Sequence, residues 1–276
     1  MSTATATPIR IGCQTFTWEM LGDAWRGSAD DLLSAISRAG YGGIEITDTM
    51  IGAYRNRPEP FVRALAEHGL TLVAYACGSA SGFTEDAALD SDLAAADQAI
   101  GFAAAFPGAH VSFGSATIMS DGPREHKFAA AARFYNAAAA RGRRAGVPVA
   151  VHPSSHHNTL LSTRDDYDRL FALLDPDLVG WVPDTGHILR GGQDLLGTLR
   201  DYRDRIRYVH LKDVDAQGRW QMLGAGTCDT DGVIASVRAA PHFNGWLVLE
   251  EESEEARRDP AAAVARNRQT MRRHET

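Results

Sequence analysis

Two rhythms alternate along the chain. Short, β-prone apolar runs occupy residues 9–15, 43–47, 71–76, 109–113, 147–152, 179–183, 208–211 and 246–250. Between them, apolar positions recur at helical spacing over 29–39, 60–68, 88–105, 123–145, 163–174, 193–202, 231–239 and 254–274. The helix ends carry matching signals. Asp30 and Asp31 stand where the helix dipole favours acids, Gly69 follows 60–68 as a terminating glycine, and Thr163 opens its helix. The runs VPVAV, LVGWV and WLVL are apolar at consecutive positions, as strands covered on both faces are. Eight strand–helix repeats without a break in composition predict an α/β fold, a single (β/α)8 TIM barrel over residues 9–276 preceded by a loose tail at 1–8. An open doubly wound sheet is the weaker alternative, because IGCQTFTWEM at the first strand exit holds no G-x-G-x-x-G.

Composition narrows the function classes. The 276 residues are 44% hydrophobic and 23% charged, with a formal net charge of −7. Proteins whose main partner is nucleic acid usually carry a basic face, so an acidic chain counts against that reading. No apolar run reaches the roughly 18 residues of a membrane span, and MSTATATP lacks the apolar core of a signal peptide. Three cysteines with no close pair (Cys13, Cys77, Cys228) point to a reducing, cytoplasmic setting. Lys127 and Lys212 are the only lysines among 28 Lys and Arg, so each draws notice.

In a barrel of this kind the chemistry sits at the carboxyl ends of the strands. The exits of strands five to eight present His152, Asp184, His210 and Glu250. Neighbouring strands lie about 5 Å apart, so side chains at one height converge. Two imidazoles and two carboxylates form a mixed nitrogen and oxygen set suited to manganese, iron, cobalt or zinc. Each residue also has a plainer reading. A histidine at a strand end is commonly just hydrogen-bonded, Asp184 could cap the turn that follows, and Glu250 to Glu255 could be a solvated helix start. Four coincident exits favour the metal, which satisfies several buried charges at once.

VPDTGH, YVHLKD and FNGWLVLEEE, in that order, with GYGGIEI at strand two and LGAGTCD before the last helices, resemble the sugar phosphate isomerase/epimerase superfamily, the xylose-isomerase-like TIM barrels. The likeness runs from about Ile9 to the last helix. Within the superfamily it is nearest to the inosose dehydratase branch and related 3-keto-sugar lyases, including C-glycoside deglycosidases, through the histidine-rich VHPSSHHNTL. The resemblance implies Asp184, His210 and Glu250 as metal ligands, His152 as fourth ligand or base, and His187 in substrate binding or behind the ligands. It also implies that His156 or His157 reaches the site. The epimerase branch carries a glutamate on strand five. His152 stands there instead, which counts against a two-glutamate mechanism. The implied cofactor is a divalent metal: manganese first, with cobalt, magnesium, iron or zinc as alternatives.

The expected reaction is proton abstraction beside the ketone of a keto-sugar or keto-cyclitol, followed by β-elimination or by reprotonation. His152 and Glu250 are the candidate bases. Lys212 is expected to polarise the ketone or protonate the leaving group, unless it is a surface lysine paired with Asp213. Glu45 and Trp18 are expected to contact the substrate, with Phe16 and Trp18 forming an apolar wall or else packing into the core. LGAG is the only candidate phosphate clamp, and a weak one. Competing readings are a sugar (phosphate) isomerase or epimerase, an accessory barrel in a hetero-oligomer, and an abasic-site nuclease, which the acidic charge disfavours. A small-molecule substrate, no nucleic acid, no membrane, and a homo-oligomer or a second subunit complete the expectation.

Overall fold

Ten strands form in the computed structural model, which describes residues 8–274 except His157. They are β1 (Arg10–Gln14), β2 (Gly43–Thr47), β3 (Thr71–Cys77), β4 (His110–Phe113), β5 (Val149–Val151), β6 (Val179–Trp181), β7 (Val209–Leu211), β8 (Asp213–Val214), β9 (Trp220–Gln221) and β10 (Trp246–Leu249). Eight pair in parallel in the order β6-β5-β4-β3-β2-β1-β10-β7. The ring closes between β6 and β7 through two isolated parallel bridges, Trp181 to Ile206 and Asp184 to His210. The expected loose tail at 1–8 lies, apart from Pro8, outside the described residues.

The helices are α1 (Phe16–Glu19), α2 (Ala29–Arg38), α3 (Pro58–Glu67), α4 (Leu89–Ala103), α5 (Arg124–Ala145), α6 (Arg164–Leu173), α7 (Thr185–Arg190), α8 (Leu195–Asp201), α9 (Thr230–Arg238), α10 (Glu254–Arg258) and α11 (Pro260–Thr270). Ser28 with Asp31, and Thr163 with Asp166, close reciprocal capping boxes that start α2 and α6. The single helix expected over 254–274 is two, because Pro260 offers no N–H and stands in the first turn of a new helix capped by Asp259. Three elements escape the periodicity. α1 and α7 are too short to show a period, and β8–β9 is a hairpin of two-residue strands.

The strands bury both faces. Their outer faces join the helices in the main core, whereas Val73, Ala74, Ala150, Val182, Tyr208, Trp246 and Val248 form a separate cluster inside the barrel. Side chains alternate in and out along a strand, so the residue two beyond an inward one also points inward. Ala150, Val182, Tyr208 and Val248 therefore set the phase of His152, Asp184, His210 and Glu250. Gly43 leaves room for this packing: a Cβ there would stand 2.7 Å from the Trp246 ring and from Val73 Cγ2.

Gly43→Ala should cost about 1–3 kcal/mol in urea unfolding through overpacking. Gly101→Ala should gain about 0.5–1 kcal/mol, because Gly101 lies in α4 with open space around it. His110, 5% exposed at the start of β4, is pushed down to about 4 by burial, with Arg207 adding to the effect. Its neutral form is the folded one, so its share of the stability is full above about pH 6.5 and is lost as the pH falls towards 4. The urea midpoint should drop over that window, and less steeply in His110→Phe.

Candidate metal centre and its cavity

His152, Asp184, His210 and Glu250 meet at the barrel mouth, with one ligand-type atom of each inside a 4.8 Å cluster. The register explains why. His210 pairs with Val248 on β10 and bridges to Asp184, and Glu250 follows Val248 by two positions. His152 Nε2 lies 2.9 Å from His210 Nδ1 and 3.6 Å from Asp184 Oδ2. His210 Nδ1 lies 2.9 Å from Glu250 Oε2 and 3.8 Å from Asp184 Oδ2. Ligands held 2.0–2.2 Å from one ion stand roughly 3 Å apart when adjacent, so this spacing suits a single ion.

The hydrogen bonding fits an ion too. Asp184 Oδ1 accepts from the His187 N–H at 2.8 Å and caps α7, while the buried Asp184 Oδ2 makes no hydrogen bond among the described residues. Asp184 thus caps the turn through Oδ1, while its Oδ2 lies within the four-residue cluster. His210 Nε2 faces Glu45 Oε2 at 2.7 Å, which turns Nδ1 towards the cluster. A carboxylate behind a histidine in this way fixes the ring and raises its basicity. Burial would lower the pKa of His210, but Glu45 and Glu250 outweigh it and lift the ring to about 10. Burial would likewise raise the carboxyls of Asp184 and Glu250, but the groups beside them (the His187 ring and the Lys212 ammonium for Asp184, Lys212 and His210 for Glu250) hold both below the usual range.

A cavity of about 300 Å³ opens over the cluster, a size that takes a small polar ligand. His152, His187, His210, Glu45 and Glu250 line it. Glu45 lines the cavity while its Oε2 is engaged by His210, and the residue is 1% exposed. Trp18 does not form the wall. It is 3% exposed within the main core, and Phe16 lines the cavity in its place.

Lys212 is neither on the surface nor on the cavity wall. It is 2% exposed; its ammonium lies 2.8 Å from Glu250 Oε1, contacts Glu252 Oε1, and sits 4.2 Å over the Trp220 ring. Burial opposes this charge, but Glu250, Glu252 and Asp184 raise the ammonium well above its ordinary value. The acidic run splits: Glu250, Glu251 and Glu252 are buried, and Glu254 and Glu255 are the exposed start of α10.

Sequence reasoning passed over Glu252, Ser155 and the Glu19–Thr47 pair. Glu252 lines the cavity and faces His156 Nε2 at 3.3 Å. Ser155 donates its N–H to His187 Nδ1 at 2.9 Å. Thr47 donates to Glu19 Oε2 at 2.6 Å, and both residues line the cavity. Only the position of Glu252, two beyond Glu250 and in the same strand phase, could have signalled its place. His156 reaches the cavity; His157 lies outside the described residues.

Asp213, the expected partner of Lys212, instead holds the following loop. Its carboxylate accepts from the N–H groups of Val214, Gly224, Gly226 and Cys228 at 2.9 to 3.0 Å. LGAG thus wraps an aspartate of its own chain.

The fold is an α/β barrel with four ligand-type side chains gathered at its mouth. Residues 33–274 match the family described as Xylose isomerase-like TIM barrel, and the chain belongs to that family. Among curated relatives, inosose dehydratase of Geobacillus kaustophilus is 36% identical over 126 residues, which cover 39% of each chain. The chain thus spans about two fifths of the length of that relative. Among solved structures, the IOLI protein with a bound zinc atom superposes with a TM-score of 0.77 at 14% identity, over 95% of this chain and 96% of that one. The 3-keto-D-glucoside 4-epimerase of E. coli gives 0.73 at 18% identity, over 95% and 99%. No described helix is long and apolar enough to cross a membrane.

Asp184→Ala and His210→Ala should each lose stoichiometric metal by elemental analysis after dialysis; full metal content in both would remove the site. Glu45→Gln should weaken metal binding by about 10–100-fold while the fold persists by circular dichroism.

Proposed function

We propose that this chain is a divalent-metal-dependent enzyme that removes the proton beside the ketone of a keto-sugar or keto-cyclitol, with loss of a β-hydroxyl as the favoured outcome. The observation that carries the reading is the four-residue cluster with the unsatisfied Asp184 Oδ2, opening on a cavity sized for one small sugar ring. The dehydratase likeness of the matched segment supports the outcome. His152, Asp184, His210 and Glu250 would hold the ion. When bound, the ion supplies positive charge to the ketone oxygen and so acidifies the neighbouring C–H. Manganese is the proposed ion, and the zinc of one structural neighbour keeps zinc beside it.

Of the two candidate bases, Glu250 is the better placed. His152 directs Nε2 into the ligand cluster, and a ligating nitrogen has no lone pair left for a proton. Glu250 turns Oε2 to the cluster and keeps Oε1 beside Lys212. Lys212 touches no cavity space, so it acts through Glu250 and Glu252 as a positioning residue. Among the described residues no lysine or arginine lines the cavity, which favours an uncharged substrate over a phosphorylated one.

Incubated with a keto-inositol in heavy water, the metal-loaded chain should wash deuterium into the carbon next to the ketone and release the dehydrated product. Neither event at full metal content would defeat the proposal, and activity of the purified chain alone would exclude an obligate second subunit. Lys212→Met should keep its metal and lose on the order of 10²-fold in kcat; an unchanged kcat would reject its role.

A further inference from the structure

Beside the ligand cluster stands a second group of ligand-type side chains: His156, His187 and Glu252, with one atom of each within 4.8 Å of the others. All three line the same cavity. We propose that this trio is a metal-free subsite that binds one hydroxyl of a neutral polyol, taking a hydrogen bond from the hydroxyl at Glu252 and giving one from His187. The assignment rests on the proposed function and deepens it, because it names the group recognised beside the ketone.

The hydrogen bonds decide between a second ion and a hydroxyl. The Ser155 main-chain N–H can only donate, and it donates to His187 Nδ1 at 2.9 Å. Nδ1 is therefore the lone-pair nitrogen, and the neutral ring carries its proton on Nε2. Such a ring offers the cavity a donor and has no second lone pair for a metal. His187 Nε2 and Lys212 Nζ lie 3.4 Å apart, two donors with nothing to exchange. Lys212 also touches Glu252, so a dication among the three would face an ammonium at contact distance.

A hydroxyl suits the same atoms because it both accepts and donates. It would accept from His187 Nε2–H and donate to Glu252 Oε2, whose other oxygen serves Lys212. His156 Nε2, buried and without a well-aligned hydrogen bond, faces the same oxygen of Glu252 at 3.3 Å and closes the third side. Trp220 fixes both rings: it stands edge-on to His187 at 5.2 Å and tilts against His156 at 5.9 Å. A phosphate dianion would bring charge against Glu252 and have no proton to give it. A ligand with hydrogen in place of this hydroxyl would leave a buried donor and acceptor unmet.

The test uses zinc-loaded full-length chain. Zinc stoichiometry is measured by elemental analysis, and binding of myo-inositol and D-glucose by calorimetry, in wild type, Glu252→Gln and the rim variant His156→Asn. The expected result is one zinc per chain in all three proteins. At least one of the two polyols binds wild type, and both variants bind it at least about tenfold more weakly. Two zinc ions in wild type falling to one in Glu252→Gln would overturn the subsite in favour of a second metal. Polyol affinity unchanged in both variants, or no polyol binding by wild type, would overturn it as well. Absence of deuterium exchange from a keto-inositol, with polyol binding and its loss as described, would count against the proposed reaction alone.

Discussion

Everything at the barrel mouth depends on the phase of the pleat. Because side chains alternate across a strand, Ala150, Val182, Tyr208 and Val248 inside the barrel commit the residues two positions on to the same side. A one-residue slip in β5, β6, β7 or β10 would turn a ligand-type residue into the helical layer and an aliphatic one into the mouth. The apolar layer therefore does more than fill the barrel. It is the template that aims His152, Asp184, His210 and Glu250 at one point, and the Asp184–His210 bridge locks two of them side by side where the ring closes.

The second constraint is electrostatic. Glu45, Asp184, Glu250 and Glu252 are all 5% exposed or less, and Lys212 and His210 are the cations among them. Buried carboxylates survive only when something positive or hydrogen-donating faces every oxygen. Glu252 meets Lys212, Glu45 meets His210, and Glu250 divides its oxygens between Lys212 and the cluster. Asp184 Oδ2 is the oxygen left without a hydrogen bond among the described residues, with His210 Nδ1 at 3.8 Å and Lys212 Nζ at 4.0 Å as its nearest positive neighbours.

The repeat of apolar runs and helical stretches made the barrel legible, because buried parallel strands and amphipathic helices differ in period. The meeting of His152, Asp184, His210 and Glu250 was legible for the same reason: each member directly follows a run whose burial demands a partner for it. What stayed hidden depends on contacts distant in sequence. Glu45 reads as one polar residue in an apolar strand, and only the fold shows His210 behind it. Trp18 and Phe16 lie two apart on a one-turn helix, too short for periodicity to tell which faces the cavity. Lys212 reads as a group acting on the substrate or as a surface residue beside Asp213, because nothing local shows that Glu250 and Glu252 enclose it. Pro260 was in plain view, and the helical pattern on both sides of it masked the break.

Asp213 gives the barrel an occupant of its own at a place where an anion would otherwise be welcome. Four amides converge on its carboxylate, and a Cβ at Gly226 would stand 2.3 Å from one of its oxygens, so the turn closes around the side chain with no room to spare. A loop whose donors are satisfied by a tethered counterpart cannot recruit a diffusible one. Its order draws on no anion from the solvent, and the hairpin that carries Trp220 is anchored by the same side chain.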